Sequence, residues 1–104
     1  MITPVVDKQS LLSILKKNGL HIRTLGISKI GVFGSFARNS DIHKDSDIDF
    51  LVDFKRGQKT FHNLVELGNF LENLLGRKVE LVTRKSLKPT MESAILKTVE
   101  NVSI

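Results

Sequence analysis

The chain has 104 residues, of which 40% are hydrophobic and 26% charged, and this balance is typical of one folded domain rather than a disordered tail. The absence of cysteine excludes disulfides and thiolate metal sites, and we expect a reducing, cytoplasmic location. No apolar stretch approaches the roughly 18 residues that a membrane span needs, and we expect no signal peptide. The formal charge of +5 favours phosphate-bearing partners.

The first third of the chain predicts two helices, a strand and a short third helix. Asp7 is the predicted N-cap of an amphipathic helix over about residues 8–17. A second short helix is predicted from the apolar spacing in residues 20–25. The apolar run Ile30 to Phe33 predicts a buried strand over Lys29 to Phe33, and Ser35 to Arg38 is expected to open a short helix directly after it.

The rest of the chain predicts two more strands and two helices before a short final strand. Strand two is predicted over Asp47 to Phe54, strand three over Lys78 to Thr83, and a last helix from Pro89 to Val99. Residues 101–104 are expected to form the final strand. Between strands two and three, apolar spacing predicts a helix whose buried stripe contains Phe61, Leu64, Val65, Leu71, Leu74 and Leu75. The whole chain, 1–104, is therefore predicted to be a single α+β domain, a small mixed sheet covered by helices.

Two alternate carboxylates mark the start of strand two. Asp47 and Asp49 leave the same face of an extended chain, with their Cα atoms about 6.5–7 Å apart. Two such carboxylates repel each other unless a cation neutralises them, and their hard oxygen ligands suit Mg²⁺. An isolated pair of this kind is more often two solvated aspartates at a strand end, so the pair alone does not predict a metal site.

A glycine–serine turn follows strand one. Gly34 permits a sharp turn and lets a phosphate approach without a Cβ in the way. The next amides would point outward from a helix N-terminus, and the Ser35 hydroxyl adds a donor. Arg38, one turn later, can fork onto phosphate oxygens. Each feature alone has an ordinary structural explanation, but together with the paired aspartates they predict a site for a metal-bound nucleotide.

A third carboxylate lies in the middle of strand three. If that strand pairs beside strand two, Glu80 projects onto the face that carries Asp47 and Asp49. It would there bind the metal or accept the proton of an attacking hydroxyl. An exposed strand glutamate with no chemical role explains the residue nearly as well, and both interpretations remain open.

The spacing of these residues resembles a known signature. Gly34-Ser35, eleven further residues and then Asp47-Ile48-Asp49 are similar to the G-S-x(about 10)-D-x-D pattern of the DNA polymerase β nucleotidyltransferase superfamily. The small size resembles its minimal nucleotidyltransferases. The similarity covers most of the chain from about residue 20 and includes four further segments: Leu25-Gly26-Ile27, Leu71 to Gly76, Arg77 to Val82, and Leu87 to Pro89.

The resemblance implies a palm-like nucleotidyltransferase fold and a set of roles. Asp47 and Asp49 would hold Mg²⁺, two ions per site, while Gly34 and Ser35 would hold the triphosphate of ATP. Glu80 would be the third acidic residue, at a position where many relatives carry aspartate. Metal ligation by all three acids is thus implied.

A partner is also implied by the resemblance. Minimal nucleotidyltransferases resemble antitoxins that pair with HEPN-domain toxins, so transfer of AMP from ATP to a toxin tyrosine is expected. An antitoxin that neutralises its toxin by binding alone is the first alternative. The acceptor surface must come from another protein or a second copy, so a hetero-oligomer or a homodimer is expected.

Transfer of a nucleotide to a small molecule or to RNA is the other alternative. A basic patch for nucleic acid would comprise Lys55, Arg56, Lys59, Arg77, Lys78, Arg84, Lys85 and Lys88. A solvated basic surface explains these residues better, because the chain lacks the tryptophan and tyrosine that single-strand binders use for stacking.

Overall fold

A computed structural model describes residues 3–104 and shows helices packed on a four-stranded mixed sheet, which confirms the predicted α+β class. None of the helices in this range is long and apolar enough to cross a membrane. The elements, in chain order, are α1 Lys8–Lys17, α2 Gly19–Thr24, β1 Ile27–Phe33, α3 Gly34–Arg38, β2 Ile48–Phe54, α4 Phe61–Leu75, β3 Val79–Thr83, a 3-10 turn Arg84–Ser86, α5 Pro89–Thr98 and β4 Glu100–Val102.

The strand order in the sheet is β3-β2-β1-β4. β1 runs antiparallel to both β2 and β4, whereas β2 and β3 are parallel and are connected through α4. In this register Asp49 lies opposite Phe33 on one side and opposite Glu80 on the other. The end of β1 and the starts of β2 and β3 therefore meet at one edge of the sheet, where the predicted site residues lie.

One face of the sheet carries the main core. Alternate residues of β1 and β2 are fully buried there, because side chains along a strand point to opposite faces in turn. They join apolar residues of the helices in a single cluster that includes Ile30, Val32, Ile48, Phe50 and Val52 from the strands and Leu11, Leu15, Leu67, Leu71 and Leu75 from α1 and α4. Ile48 thus points into the core, as predicted, while its neighbours Asp47 and Asp49 do not.

The ends of the elements follow from local chemistry. The Asp7 carboxylate accepts a hydrogen bond from the Ser10 backbone N–H at 2.8 Å, so the predicted N-cap of α1 is confirmed. β1 begins at Ile27 and not at the predicted Lys29. The prediction missed its first residues because two consecutive exposed residues break the alternation of buried and exposed positions, at the point where the register shifts. β4 comprises Glu100–Val102 instead of residues 101–104.

The predicted buried stripe of α4 is partly wrong. Phe61 is 83% exposed and Val65 is 41% exposed, whereas Leu67, which the prediction left out, is fully buried with Leu71. At 100° per residue, Phe61 and Val65 lie roughly 80–120° around the helix from Leu71 and so face away from the sheet. The prediction failed because it did not follow one line of residues along the helix: it took in Phe61 and Val65 and left out Leu67.

The corrected stripe makes a direct prediction about stability. Leu71→Ala should lower the free energy of unfolding by about 2–5 kcal/mol, because it leaves a cavity under α4. Phe61→Ala, on the same helix, should change it by less than about 0.5 kcal/mol, since that ring is already in water. Urea unfolding of both variants measures the difference, and a larger loss for Phe61→Ala would contradict the assignment of the buried face.

Candidate functional site

Two carboxylates face each other across the parallel pair of strands. Asp49 and Glu80 are register partners on β2 and β3, and their side chains are close enough to share a hydrogen bond. Asp49 is half-buried, Glu80 is exposed, and Asp47 stands exposed just before the first residue of β2. The predicted projection of Glu80 onto the face of Asp49 is therefore what the register produces.

This arrangement changes the acidity of Asp49. Burial is the largest cause, followed by the hydrogen bond with Glu80 and by the negative charges of Glu80 and Asp47, and together they raise the pKa of Asp49 to about 6. The positive charge of Arg38 acts in the opposite direction. Asp47, Glu80 and Arg38 thus lie close enough to Asp49 to alter its pKa, and the excess charge among the four residues is negative.

The carboxylates fit a hard cation only in part. Across residues 3–104, no three histidine, cysteine, aspartate or glutamate side chains come close enough together to hold a metal ion. Metal ligation by Asp47, Asp49 and Glu80 together therefore stays a prediction. The facing pair is nevertheless suitable, because Mg²⁺ is commonly bound by one or two carboxylates and completes its shell with water and substrate phosphates.

The structure gives a second reason for a glycine at position 34, besides the predicted approach of a phosphate. Its φ of +73° lies in the left-handed region. A Cβ built at this position would fall on Asp49 Oδ2 and would lie 3.2 Å from Asp49 Cγ. The glycine therefore lets the Asp49 carboxylate lie directly against the turn at the start of α3. Ser35 and Arg38 follow on that helix, whose first turn has no side-chain cap.

Arg77 is a residue whose role the sequence did not indicate. Predicted as part of a basic surface, it is instead only 8% exposed, so that prediction is wrong for this residue. Its Nη1 donates to three carbonyl oxygens of the loop 43–46 at 2.8–3.2 Å, and its Nε donates to the Val5 carbonyl at 2.5 Å. The guanidinium also lies 5.2 Å from the centre of the Phe36 ring. It thereby ties the loop that precedes Asp47 to the helix that follows Gly34.

The other predicted basic residues do lie at the surface. Each of them is exposed to solvent: Lys55, Arg56, Lys59, Lys78, Arg84, Lys85 and Lys88. The buried arginine lies between Gly76, which ends α4, and an exposed lysine, so the sequence around it carries no pattern that separates it from the rest. Its burial depends on the loop and the N-terminal segment, which are distant in sequence.

The close approach of Gly34 to Asp49 can be tested with a matched pair of variants. Gly57 also has a positive φ, of 77°, but a Cβ there would meet nothing within 4 Å. Gly57→Ala should therefore cost only the backbone strain, about 1 kcal/mol. Gly34→Ala should cost about 2–5 kcal/mol in the free energy of unfolding, because the clash with Asp49 adds to that strain. Equal losses in denaturant unfolding would contradict the contact.

The raised pKa of Asp49 predicts a pH-dependent effect on stability. An unfolded aspartate ionises near pH ~3.9, so ionised Asp49 opposes folding above pH ~6 and has no such effect below pH ~4. Asp49→Asn should therefore stabilise the fold at pH ~7.5, by about 1 kcal/mol since partial exposure screens the charge. The gain should shrink as the pH falls from ~6 to ~4. Thermal unfolding across this range measures it, and a gain that does not vary with pH would contradict the assignment.

A family model agrees with this geometry. The model for the nucleotidyltransferase domain matches residues 9–100 of the chain. The protein adenylyltransferase MntA of Thermococcus cleftensis is 40% identical over 88 residues, which is 84% of this chain and 87% of that protein. A relative from Methanocaldococcus jannaschii is 37% identical over 89 residues, with 86% of each chain covered.

Solved structures show the same fold. A structure described as a minimal nucleotidyltransferase has a TM-score of 0.77 and 31% identity, covering 94% of this chain and 96% of its own. A crystal structure described as a toxin–antitoxin with AMP-PNP has a TM-score of 0.62 at 21% identity, covers 90% of this chain and 70% of its own, and shows likeness of fold alone. The resemblance seen in the sequence is confirmed, and the chain belongs to the nucleotidyltransferase domain family of enzymes.

Proposed function

We propose that this chain transfers AMP from ATP to a tyrosine hydroxyl of a HEPN-type toxin and thereby acts as an antitoxin, with Mg²⁺ as its metal ion. The observation that carries the proposal is the pair of facing carboxylates, Asp49 and Glu80, beside the turn at Gly34. Support also comes from the relative named a protein adenylyltransferase and from similar folds described as toxin–antitoxin structures, one with AMP-PNP and one as MntA-HpeT.

The triphosphate is held on the β1 side of the site. Gly34 follows β1 and begins α3, and the amides of the first turn of α3 together with the Ser35 hydroxyl donate to phosphate oxygens. Arg38 lies close enough to Asp49 to affect its ionisation, so its guanidinium can contact phosphates bound beside that carboxylate. These donors orient the β- and γ-phosphates as the leaving group, which is the main task of a protein in such a transfer.

Asp47 and Asp49 would hold Mg²⁺, whose positive charge would offset the negative charges of these neighbouring acids. When bound, Mg²⁺ offsets the repulsion between the carboxylates and the phosphates and withdraws charge from the α-phosphoryl group. The raised pKa of Asp49 is consistent with this role, because a carboxylate that is partly buried and also has acidic neighbours gains from a neighbouring cation. Glu80 belongs to the same set as a further ligand or as the base.

The transfer forms one bond and breaks one. The acceptor oxygen attacks the α-phosphorus, and the bond from that phosphorus to the bridging oxygen of pyrophosphate breaks in line with the attack. The acceptor hydroxyl loses its proton to the Glu80 carboxylate, which is exposed and so can release it to solvent. The products are an AMP ester of the acceptor and pyrophosphate, and no oxidant or reductant is needed.

The proposal predicts the loss of transfer when the acids are neutralised. The double variant Asp47→Asn, Asp49→Asn should lower AMP transfer to the co-purified partner at least about 100-fold while the fold survives, because the charges that hold the metal are removed. Transfer is measured with ATP labelled at the α-phosphate and by the mass of the partner. Asp41→Asn is the matched control, since Asp41 is exposed and asparagine suits its positive φ of 58°.

Two outcomes would contradict the proposal. Labelled AMP that still reaches the partner from the double variant would show that these acids do not carry the reaction. Cells that the double variant still protects from the toxin, although transfer is lost, would show that the antitoxin acts by binding alone. Circular dichroism of each variant confirms that the fold is retained.

A further inference from the structure

A cleft of about 340 Å³ opens beside the facing carboxylates. Asp49 and Glu80, register partners on neighbouring strands, form its acidic end, and Ser86 and Lys88 also line it. The remaining wall is apolar and consists of Phe33, Val82, Leu87, Met91 and Ile95. The cleft thus combines an acidic end with a lining that is mostly hydrocarbon, which is an unusual surface for a site that handles a triphosphate.

The sheet and α5 build this cleft together. Phe33, Asp49 and Glu80 are neighbours across three strands, and Val82 lies two residues beyond Glu80 on the same face of β3. α5 runs from Pro89 to Thr98, and Met91 and Ile95, one turn apart, face the sheet across the cleft. Met91 is 53% exposed, so its side chain is available to a ligand that enters from solvent.

The strand order indicates which substrate lies there. The proposed phosphate donors follow β1, and β1 and β3 flank β2 on opposite sides. An in-line transfer places the attacking oxygen opposite the leaving pyrophosphate, so an acceptor must approach from the β3 side. The carboxylate on that side is Glu80, which lines the cleft. The position of the cleft therefore suits the acceptor better than the phosphates.

The lining indicates the chemical class of the acceptor. A phenol has one polar atom at the end of an apolar ring, which matches an apolar wall with carboxylates at one end. Adenine has several polar atoms around its rim, and the five apolar lining residues offer them no hydrogen-bond partner. Of the polar lining residues, Ser86 already donates its hydroxyl hydrogen to the Thr83 carbonyl, which leaves Lys88 and the two carboxylates. A serine hydroxyl would reach the acids but would leave the apolar wall uncovered.

We propose that this cleft binds the aromatic ring of the acceptor tyrosine and presents its hydroxyl to Glu80, with Met91 and Ile95 as specificity-determining residues. The inference rests on the proposed function and adds to it a location for the acceptor side chain. It requires the ring to enter between α5 and β3, with the hydroxyl leading. An aliphatic hydroxyl would gain no contact with the apolar wall and would bind weakly.

The two methionines of the chain, Met1 and Met91, make a direct binding test possible. The full chain, labelled with ¹³C at the methionine methyl groups, is titrated with N-acetyl-L-tyrosinamide and, separately, with N-acetyl-L-serinamide. The Met91 methyl signal should shift with the tyrosine probe at concentrations where the serine probe has no effect. Equal shifts, or none with either probe, would overturn the proposal.

A pair of variants on α5 separates the cleft from the rest of the helix. Met91→Ser should weaken binding of the tyrosine probe about tenfold, because an apolar contact of the ring is lost. This variant is labelled with ¹³C at its isoleucine methyl groups instead, and binding is followed at the Ile95 methyl. Leu96→Ser is the matched control, since Leu96 is 37% exposed on the same helix and does not line the cleft. Equal weakening in both variants would contradict a specific role for Met91.

Titration with AMP-PNP tests whether the adenine base, and not the acceptor side chain, occupies the cleft. If AMP-PNP shifts the Met91 methyl and the tyrosine probe competes with it, the cleft holds the base and the proposal is overturned. The AMP-transfer assay of the unmodified chain is read separately. If the chain transfers AMP but the tyrosine probe does not bind in the cleft, only the proposed acceptor site is refuted. Tyrosine binding at Met91 in a chain without transfer activity supports the acceptor site and refutes the proposed reaction.

Discussion

The parallel pairing of β2 with β3 is the constraint on which the site depends. It places Asp49 directly opposite Glu80, so two like charges meet at the starts of neighbouring strands. The pairing requires a crossover, and α4 supplies it while burying Leu67, Leu71 and Leu75 on the opposite face of the sheet. A shift of β3 by one residue would turn Glu80 toward that core, so the core that α4 forms also fixes the register of the acids.

The crossover from α4 to β3 also anchors the loop that leads to these acids. Arg77 lies between α4 and β3, and its hydrogen bonds to the loop 43–46 fix the segment that leads into Asp47. The hydrogen-bond partners of this buried cation are backbone carbonyl oxygens, and its guanidinium also lies over the ring of Phe36. The environment that raises the pKa of Asp49, first its burial and then its acidic neighbours, is thus supported by contacts outside the acid cluster. Gly34 adds to this by leaving no atom between the turn and the carboxylate.

The sequence predicted the features that short patterns encode. The strands around Asp49, the turn at Gly34 and the cap at Asp7 depend on neighbouring residues, and the structure contains all three. The sequence did not predict the burial of Arg77 or the outward orientation of Phe61, because both depend on which distant segments pack against them. The cleft could not be predicted either, since Phe33, Val82 and Met91 come from three elements that only the sheet order brings together. Metal ligation by three acids likewise depends on side-chain positions that the spacing in the chain does not determine.

The order β3-β2-β1 gives the two ends of the proposed reaction different surroundings. On the β1 side, backbone amides and Arg38 suit the charge that accumulates on a departing pyrophosphate. On the β3 side, Glu80 and an apolar wall suit a neutral hydroxyl on a hydrophobic ring, which needs a base and a dry surface rather than cations. Asp49 lies between them and is the only one of the three acids flanked by both neighbouring strands. In the proposed reaction, this narrow sheet would keep the leaving group and the acceptor on opposite sides of Asp49, because β1 and β3 flank β2.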